Sequence, residues 1–213
     1  MNQESKVALV TGAASGLGEA IAQRLAADGM VVVVADIDMA NAGRVAKALT
    51  ASSISLKLDV TQEQDWVEAI AAIEQQFGRL DVLVNNAGIT TMGTVEDLTL
   101  EAFKHEFSID VDGTFLGCKH GIGLMKKNGG AIINMSSAAG IKASSLLCAY
   151  NAAKGAVTML TKSVALHCAE QKNGIRCNSV HPGAIHTAII DKTLAQSEDP
   201  DALMETFVAW HPV

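Results

Sequence analysis

Short apolar runs alternate with longer stretches of helical periodicity along most of the chain. In the longer stretches apolar residues recur at helical spacing, as Leu17, Ile21 and Leu25 do. Strands and helices that alternate in this way are typical of a doubly wound parallel sheet with right-handed crossovers. We therefore predict one three-layer α/β domain over residues 1–213. The six predicted strands are 7–11, 31–36, 53–58, 81–86, 131–135 and 175–181, and the two longest predicted helices are 100–127 and 144–173.

The composition fits this architecture and narrows the classes of function. Hydrophobic residues make up 49% of the chain and aromatic residues only 4%, so the core consists mainly of small aliphatic side chains, as in parallel sheets covered by helices. The net charge of −7 argues against a surface that binds nucleic acid or an anionic membrane. No apolar stretch approaches the ~18 residues of a membrane span. Four cysteines without metal-like spacing indicate reduced thiols in the cytoplasm and no metal site.

A glycine-rich stretch follows the first predicted strand and opens the first helix. It reads "TGAASGLG" (11–18), and the free backbone N–H groups at such a helix start suit a pyrophosphate. Gly12 would allow a tight turn, Gly16 a close approach of the backbone to the ligand, and Gly18 close packing of helix against sheet. The stretch predicts a dinucleotide site, although its spacing differs from G-x-G-x-x-G.

An acidic residue closes the second predicted strand, about 20 residues after the glycines. Asp36 is placed to accept hydrogen bonds from both ribose hydroxyls of an adenosine group and to repel a 2′-phosphate. No Arg or Lys stands at positions 15, 37 or 38 to receive that phosphate. NAD is therefore favoured over NADP. Alternatively, the Asp36 carboxylate could cap the next helix, but Asp38 is better placed for that role.

The only tyrosine of the chain stands four residues before a lysine, in "YNAAK" (150–154). On a helix Tyr150 and Lys154 share one face, and a nearby ammonium favours the ionised form of a phenol. The pair can therefore act as a general acid and base that exchanges the proton of an alcohol while a hydride moves. Ser136 and Ser137 follow the fifth predicted strand, at the sheet edge where open α/β sheets bind ligands, and a hydroxyl there could hold a substrate oxygen. Taken alone, a Y-x-x-x-K pattern is more often an exposed helical pair.

Six motifs follow one another in a recognisable order. They are "TGAASGLG" (11–18), "LDV" (58–60), "NNAG" (85–88), "INMSS" (133–137), "YNAAK" (150–154) and "HPGAIHT" (181–187). With them the chain resembles the classical short-chain dehydrogenases/reductases over essentially its whole length. Within that family it is most similar to bacterial NAD-dependent secondary-alcohol and hydroxysteroid dehydrogenases. The resemblance implies a Rossmann-type fold, hydride transfer between NAD(H) and a small secondary alcohol or ketone, and a homodimer or homotetramer.

The resemblance also implies a role for each matching residue. Tyr150 exchanges the proton, Lys154 tunes Tyr150 and binds the nicotinamide ribose, and Ser137 orients the substrate oxygen. Asp59 would bond the adenine amine, and the loop 182–187 would hold the nicotinamide carboxamide. The predicted cofactor-binding residues are Gly12, Ser15, Gly16, Leu17, Gly18, Asp36, Ile37, Asp59, Val60, Asn86, Ala87, Gly88, Tyr150, Lys154, Pro182, Gly183, Ile185 and Thr187. His186 lies in the same loop. We interpret it as a surface or packing residue, with a contact to the substrate as the alternative.

Two features depart from the pattern of the family. Asp110 stands where the resemblance implies an asparagine that supports a water chain to the active-site lysine. An ionised aspartate can accept those hydrogen bonds but cannot donate them. We count Asp110 among the predicted catalytic residues, with a purely structural place in a helix kink as the alternative. The family also continues into a seventh strand for which the chain holds no sequence, so we expect a C-terminally short domain with 175–181 as an exposed edge.

Two other functions stay open at this point. A reductase of 3-ketoacyl thioesters is common in the family but usually takes NADPH in a basic pocket, against which Asp36 counts. A non-catalytic regulator that binds a nicotinamide cofactor would need the fold but not the combination of Ser137, Tyr150 and Lys154.

Overall fold

Six parallel strands form one sheet in the computed structural model, which describes residues 5–49, 52–185, 187–197 and 199–209. Their spatial order is β3-β2-β1-β4-β5-β6. The order reverses between β1 and β4, the point at which open α/β sheets leave a crevice beyond their carboxyl ends. The strands are β1 Val7–Thr11, β2 Val31–Asp36, β3 Ile54–Lys57, β4 Val82–Asn85, β5 Gly130–Met135 and β6 Ile175–Val180.

Helices cover both faces of this sheet. They are α1 Gly16–Ala27, α2 Met39–Ala48, α3 Glu63–Phe77, α4 Leu100–Phe107, α5 Gly113–Met125, α6 Cys148–Glu170, α7 Ala188–Leu194 and α8 Pro200–Ala209. A π-helical turn, Ser108–Asp112, joins α4 to α5, and a 3-10 turn, Ala138–Gly140, follows β5. Within the described ranges, none of these helices is both long and apolar enough to span a bilayer.

Alternate residues of the central strands enter two separate core clusters. In β2, Val33 belongs to the core cluster that includes residues of α3, α5 and α6 on one face of the sheet, whereas Val32 and Val34 belong to the cluster with α1 and α2 on the other. Because both faces are covered, the strands are apolar at nearly every position rather than at every second one. The prediction of a three-layer, doubly wound α/β fold is confirmed.

The two long helices differ from their predicted bounds. The predicted helix 100–127 is interrupted at Ser108–Asp112 by the π turn, and its last part ends at Met125. The other, predicted over 144–173, begins only at Cys148, because the chain just before it forms a turn. In that turn the Leu146 N–H donates to Ser144 Oγ (3.4 Å), and the Asn151 side chain donates to the Ser144 carbonyl (2.7 Å).

Candidate active site

The glycine-rich turn is fixed against the end of β4 by close backbone packing. Gly12 and Gly16 have positive φ angles of 62° and 58°, which side chains rarely adopt. A β-carbon at Gly12 would lie 2.8 Å from the Cα of Ala87, and one at Gly18 would collide with the Gly12 carbonyl oxygen. The turn therefore needs glycine at these positions for its own shape, and this shape brings the start of α1 to the sheet edge.

Thr11 and Asn86 tie this turn to the neighbouring strand. The Thr11 hydroxyl oxygen accepts the N–H groups of Asn86 (3.0 Å) and Ala87 (3.1 Å). In return, the Asn86 side-chain amide donates to the carbonyls of Thr11 (2.9 Å) and Gly12 (3.1 Å). The side chain of Asn86, predicted to bind cofactor, is thus engaged in holding the turn. Sequence reasoning missed Thr11, whose signal was a hydroxyl at the last position of an apolar strand.

Asp36 lies beside the glycine-rich turn at the end of β2. Its carboxylate accepts the N–H groups of Ala14 and Asp38, each at 3.0 Å. Asp38 is the residue that caps α2, since its side chain accepts the Asn41 N–H at 3.1 Å. Arg44 does not stand at any of the positions 15, 37 and 38, at which a cation could receive a 2′-phosphate. Its guanidinium nevertheless reaches the turn and donates to the Ala14 carbonyl at 3.2 Å.

Glu19 holds the Arg44 guanidinium at the edge of the turn. Two nitrogens of Arg44 donate to the two oxygens of Glu19, at 2.9 and 3.0 Å. The pairing lowers the pKa of Glu19 and raises that of Arg44. A cation is therefore present near the adenosine side of the crevice, but a carboxylate of the same chain neutralises it.

The next two predicted cofactor residues lie beyond β3. One oxygen of Asp59 accepts both the N–H (3.0 Å) and the hydroxyl (2.7 Å) of Thr61. The Val60 side chain is buried in the core, where a β-carbon at Gly113 would lie 2.8 Å from it, and the Val60 carbonyl accepts the Trp66 indole N–H at 3.0 Å. Val60 thus has only backbone left for the predicted cofactor contact.

Lys154 lies almost fully buried at the centre of the site, 4% exposed. Its Nζ is 2.9 Å from Oδ2 of Asp110 and donates to the Met135 carbonyl at 3.0 Å. The same Nζ is 5.5 Å from the ring centroid of Tyr150, which is half-buried. Asp110 is fully buried, and its second oxygen accepts the Ile89 N–H at 2.9 Å. The structure thus brings Tyr150, Lys154 and Asp110 together, and Asp110 contacts the lysine directly.

The charge on Lys154 is stabilised by its acidic neighbours. Burial is the largest single effect and lowers the pKa of the Lys154 ammonium, but several neighbours together raise it above the usual value. The largest of these opposing effects is the charge of Asp110. Tyr150 and Glu106 contribute in the same direction. The lysine therefore remains a cation inside the protein, held by a carboxylate in the π turn.

The two serines after β5 have different surroundings. Ser136 donates to the Lys154 carbonyl at 2.9 Å and is 2.8 Å from the Thr158 hydroxyl, so it is committed to holding α6. Ser137 precedes the 3-10 turn, accepts the Ala139 N–H at 3.1 Å and has only a long contact, 3.5 Å, to the Pro182 carbonyl. Of the two, Ser137 has the hydroxyl that is available to a substrate.

The loop after β6 is tied to both halves of the site. The Ala138 N–H donates to the Pro182 carbonyl at 2.9 Å, and a β-carbon at Gly16 would lie 3.5 Å from Thr187. Ile185 is 47% exposed within this loop. His186, for which a substrate contact was an alternative, lies outside the described residues.

Sequence reasoning missed one buried acid at this site. Glu106 is in the last turn of α4 and has no solvent exposure. One of its oxygens accepts the Thr91 N–H at 3.0 Å. Its only sequence signal was a position four residues before Asp110 on a predicted helix, a spacing that places two side chains on one face.

With the site described, the comparisons with known proteins identify the family. Residues 6–198 match the family model described as short chain dehydrogenase. The chain belongs to this family. A short-chain dehydrogenase/reductase structure from Burkholderia xenovorans has a TM-score of 0.91 and 32% identity, and the match covers 99% of this chain and 83% of that one. The predicted family and its Rossmann-type fold are confirmed.

Relatives of this short-chain dehydrogenase act on different alcohols. It is 38% identical to the 3-beta-hydroxysteroid dehydrogenase of Comamonas testosteroni, over 94% of this chain and 79% of the relative. It is 43% identical to the trans-4-hydroxycyclohexanecarboxylate dehydrogenase of Sinomonas cyclohexanicum, over 85% and 73%. It is 38% identical to the NADP-dependent (R)-specific alcohol dehydrogenase of Lentilactobacillus kefiri, over 88% and 76%. The chain thus spans about three-quarters of the length of these relatives.

Members of the family are oxidoreductases of CH–OH groups that bind NAD or NADP. The residues of this short-chain dehydrogenase fit such a dinucleotide, because glycines stand at positions 12, 16 and 18 of the turn that opens α1 and a carboxylate lies beside this turn. No set of three or more His, Cys, Asp and Glu side chains arranged for a metal ion occurs among the described residues.

Proposed function

We propose that this chain uses NAD(H) to interconvert a secondary alcohol and its ketone, with a cyclic alcohol or hydroxysteroid as the first substrate class to test. The observation that carries the proposal is the buried ion pair of Lys154 with Asp110 beside Tyr150, at the crevice of a parallel sheet. An ammonium kept charged in a dry site stabilises negative charge on a neighbouring phenol oxygen. This is the arrangement that a general acid and base needs.

The proposed mechanism assigns one task to each side chain. The nicotinamide group, when bound, supplies the site that takes or gives the hydride. In alcohol oxidation Tyr150 takes the hydroxyl proton, and Ser137 holds the same oxygen by a hydrogen bond. Lys154 keeps the phenol oxygen ready to ionise and would bind the ribose of the cofactor. The loop residues Pro182, Gly183, Ile185 and Thr187 would hold the carboxamide.

The proposed preference for NAD rests on the two charges at the adenosine side. Asp36 would accept the ribose hydroxyls and repel a 2′-phosphate. Arg44 is the cation that could favour a phosphate, but Glu19 pairs with it through two hydrogen bonds.

We propose the cytoplasm as the location of this protein. The four free cysteines would stay reduced there.

The test combines cofactor binding with turnover. Fluorescence titration of the wild type should show NADH binding at least ~10-fold tighter than NADPH. With NAD and a panel of secondary alcohols, cyclic alcohols and hydroxysteroids, Tyr150→Phe should lower turnover by at least ~10²-fold, because it removes the group that exchanges the proton. NADH binding by this variant should change less than about threefold.

Several outcomes of these measurements would contradict the proposal. Full turnover by Tyr150→Phe would exclude the mechanism. Turnover of 3-ketoacyl thioesters with NADPH, in preference to alcohols with NAD, would favour the reductase. Tight cofactor binding by the wild type without turnover of any substrate would favour the non-catalytic regulator.

A further inference from the structure

Glu106 is a buried acid that neither the proposed mechanism nor the glycine-rich turn uses. Its side chain has no solvent exposure, and one oxygen accepts the Thr91 N–H at 3.0 Å. The other oxygen, Oε1, is buried and accepts no hydrogen bond from any residue that the structure describes. Leaving a buried charged oxygen without a partner is costly. The neutral carboxylic acid therefore suits this position better than the carboxylate.

Glu106 and Asp110 together hold the loop that follows β4. Asp110 accepts the Ile89 N–H, and Glu106 accepts the Thr91 N–H. Two backbone amides of the loop, two residues apart, are therefore bound by two acidic side chains that are four residues apart. Gly88, at the start of this loop, also lies against the ion pair, since a β-carbon there would lie 3.3 Å from Lys154 Nζ. Glu106 is thus linked to the ion pair through the loop as well as through α4.

The charged groups that face Glu106 are few, and they come from two elements. Asp110 follows Glu106 by four residues, in the π turn that continues α4, and Lys154 is on α6. Tyr150 is next to Lys154, whose Nζ lies 5.5 Å from the Tyr150 ring centroid. Burial is the main cause that raises the pKa of Glu106 to about 7, and the charge of Asp110 adds to it. The Thr91 side chain, the Thr91 N–H and the charge of Lys154 oppose this rise. With Glu106 neutral, one carboxylate balances one ammonium. With Glu106 ionised, the buried cluster has an excess negative charge.

We propose that Glu106 is a positioning residue whose charge state sets the electrostatic field on Lys154 and Tyr150, and so the pH range in which the site works. This inference rests on the proposed function of Tyr150. An ionised Glu106 opposes the ionisation of Tyr150 to the phenolate, which is the form that takes the proton of the alcohol, and it therefore moves the rise of the oxidation rate to higher pH. A neutral Glu106 does not.

The test uses Glu106→Gln, which keeps the size of the side chain and an oxygen to accept the Thr91 N–H but cannot ionise. Glu101→Gln, an exposed position on the same helix, is the matched control. If Glu106→Gln fails to fold, Glu106→Met provides a second uncharged variant. Two quantities are measured as a function of pH: the urea midpoint of the protein without cofactor, and the rate of alcohol oxidation.

The urea midpoint tests the titration of Glu106 without any activity. A carboxyl with a raised pKa in the folded state binds a proton that the unfolded chain has already lost between pH ~4.5 and ~7, so folding stability falls as the pH rises through this window. The midpoint of the wild type relative to Glu106→Gln should therefore fall from pH 5 to 7 and level off above pH ~8. Glu101→Gln should run parallel to the wild type.

The rate of alcohol oxidation tests the link to Tyr150. It should rise with pH in both proteins, but the midpoint of the rise should lie about one pH unit lower in Glu106→Gln, the effect of one charge at ~10 Å in an effective dielectric constant of ~20. Parallel urea curves or coincident rate profiles would overturn the inference. If Tyr150→Phe is fully active, the proposed function fails instead, while the urea curves still report on Glu106.

Discussion

Gly88, at the start of the loop after β4, lies against the buried ion pair of Lys154 with Asp110. A β-carbon at this position would lie 3.1 and 3.3 Å from the two oxygens of Asp110 and 3.3 Å from Nζ of Lys154. Neither partner is free to move, because Lys154 also donates to the Met135 carbonyl and Asp110 accepts the Ile89 N–H. The smallest possible substitution is therefore enough to disturb the ion pair.

We predict that Gly88→Ala lowers kcat/KM by ~10-fold or more while the protein still folds, since overpacking of this kind costs ~1–3 kcal/mol. Gly155→Ala is the control, because it is next to Lys154 on α6 but its β-carbon would approach only the Gly140 carbonyl, at 3.8 Å. That variant should keep wild-type activity. Kinetics and thermal unfolding of both variants check the prediction, and equal activity of the two would show that the ion pair tolerates the shift.

At the residue scale the sequence predicted single contacts that follow from local spacing, and missed those that depend on the fold. The approach of Lys154 to Tyr150 follows from a four-residue spacing on one helix. The burial of Glu106 does not, because the residues that contact it come from the loop after β4, which is distant from it along the chain. A glutamate between His105 and Phe107 on a predicted helix gives no local sign of such burial.

At the scale of elements, the strands were predicted closely and the long helices were not. The strand 7–11 matched its bounds because an apolar run between turn residues defines both ends. The π turn that carries Asp110 could not be predicted, since its apolar spacing differs little from that of an α-helix. The turn also carries a local side-chain bond, since the Thr114 hydroxyl donates to the carbonyl of Asp110, four residues before it, at 2.7 Å.

The glycines of α5 give a prediction for this element. A β-carbon at Gly117 would collide with the Asn85 side-chain oxygen and lie 2.8 Å from the Trp66 ring, whereas one at Gly123 would meet nothing within 4 Å. Gly117→Ala should lower the free energy of unfolding by ~1–3 kcal/mol. Gly123→Ala should raise it by ~0.5–1 kcal/mol, because alanine is the better helix former. Denaturant unfolding measures both, and the same sign for the two variants would contradict the packing of α5 on the sheet.

At the scale of the whole molecule, the sequence predicted the layers but could not say what covers their outer faces. One outer surface carries large apolar side chains: Phe115 on α5 is 49% exposed, and Met159 and Leu166 on α6 are 61% and 65% exposed. Met159 and Leu166 are seven residues apart, a spacing that places them on one side of the helix. Burying either side chain fully would contribute about 1.5–3 kcal/mol.

We propose that two copies of the chain pair through this surface, as the family resemblance also implies. Sedimentation velocity of the wild type should then show a dimer or tetramer. The double substitution Met159→Glu and Leu166→Glu should shift it towards the monomer, because paired copies would bring four buried carboxylates together without partners. Val67→Glu on α3, where Val67 is 44% exposed, adds a charge outside the proposed interface and should leave the assembly unchanged. If the wild type sediments as a monomer, the proposed pairing is excluded. If the double variant assembles like the wild type, the contact between the copies lies elsewhere.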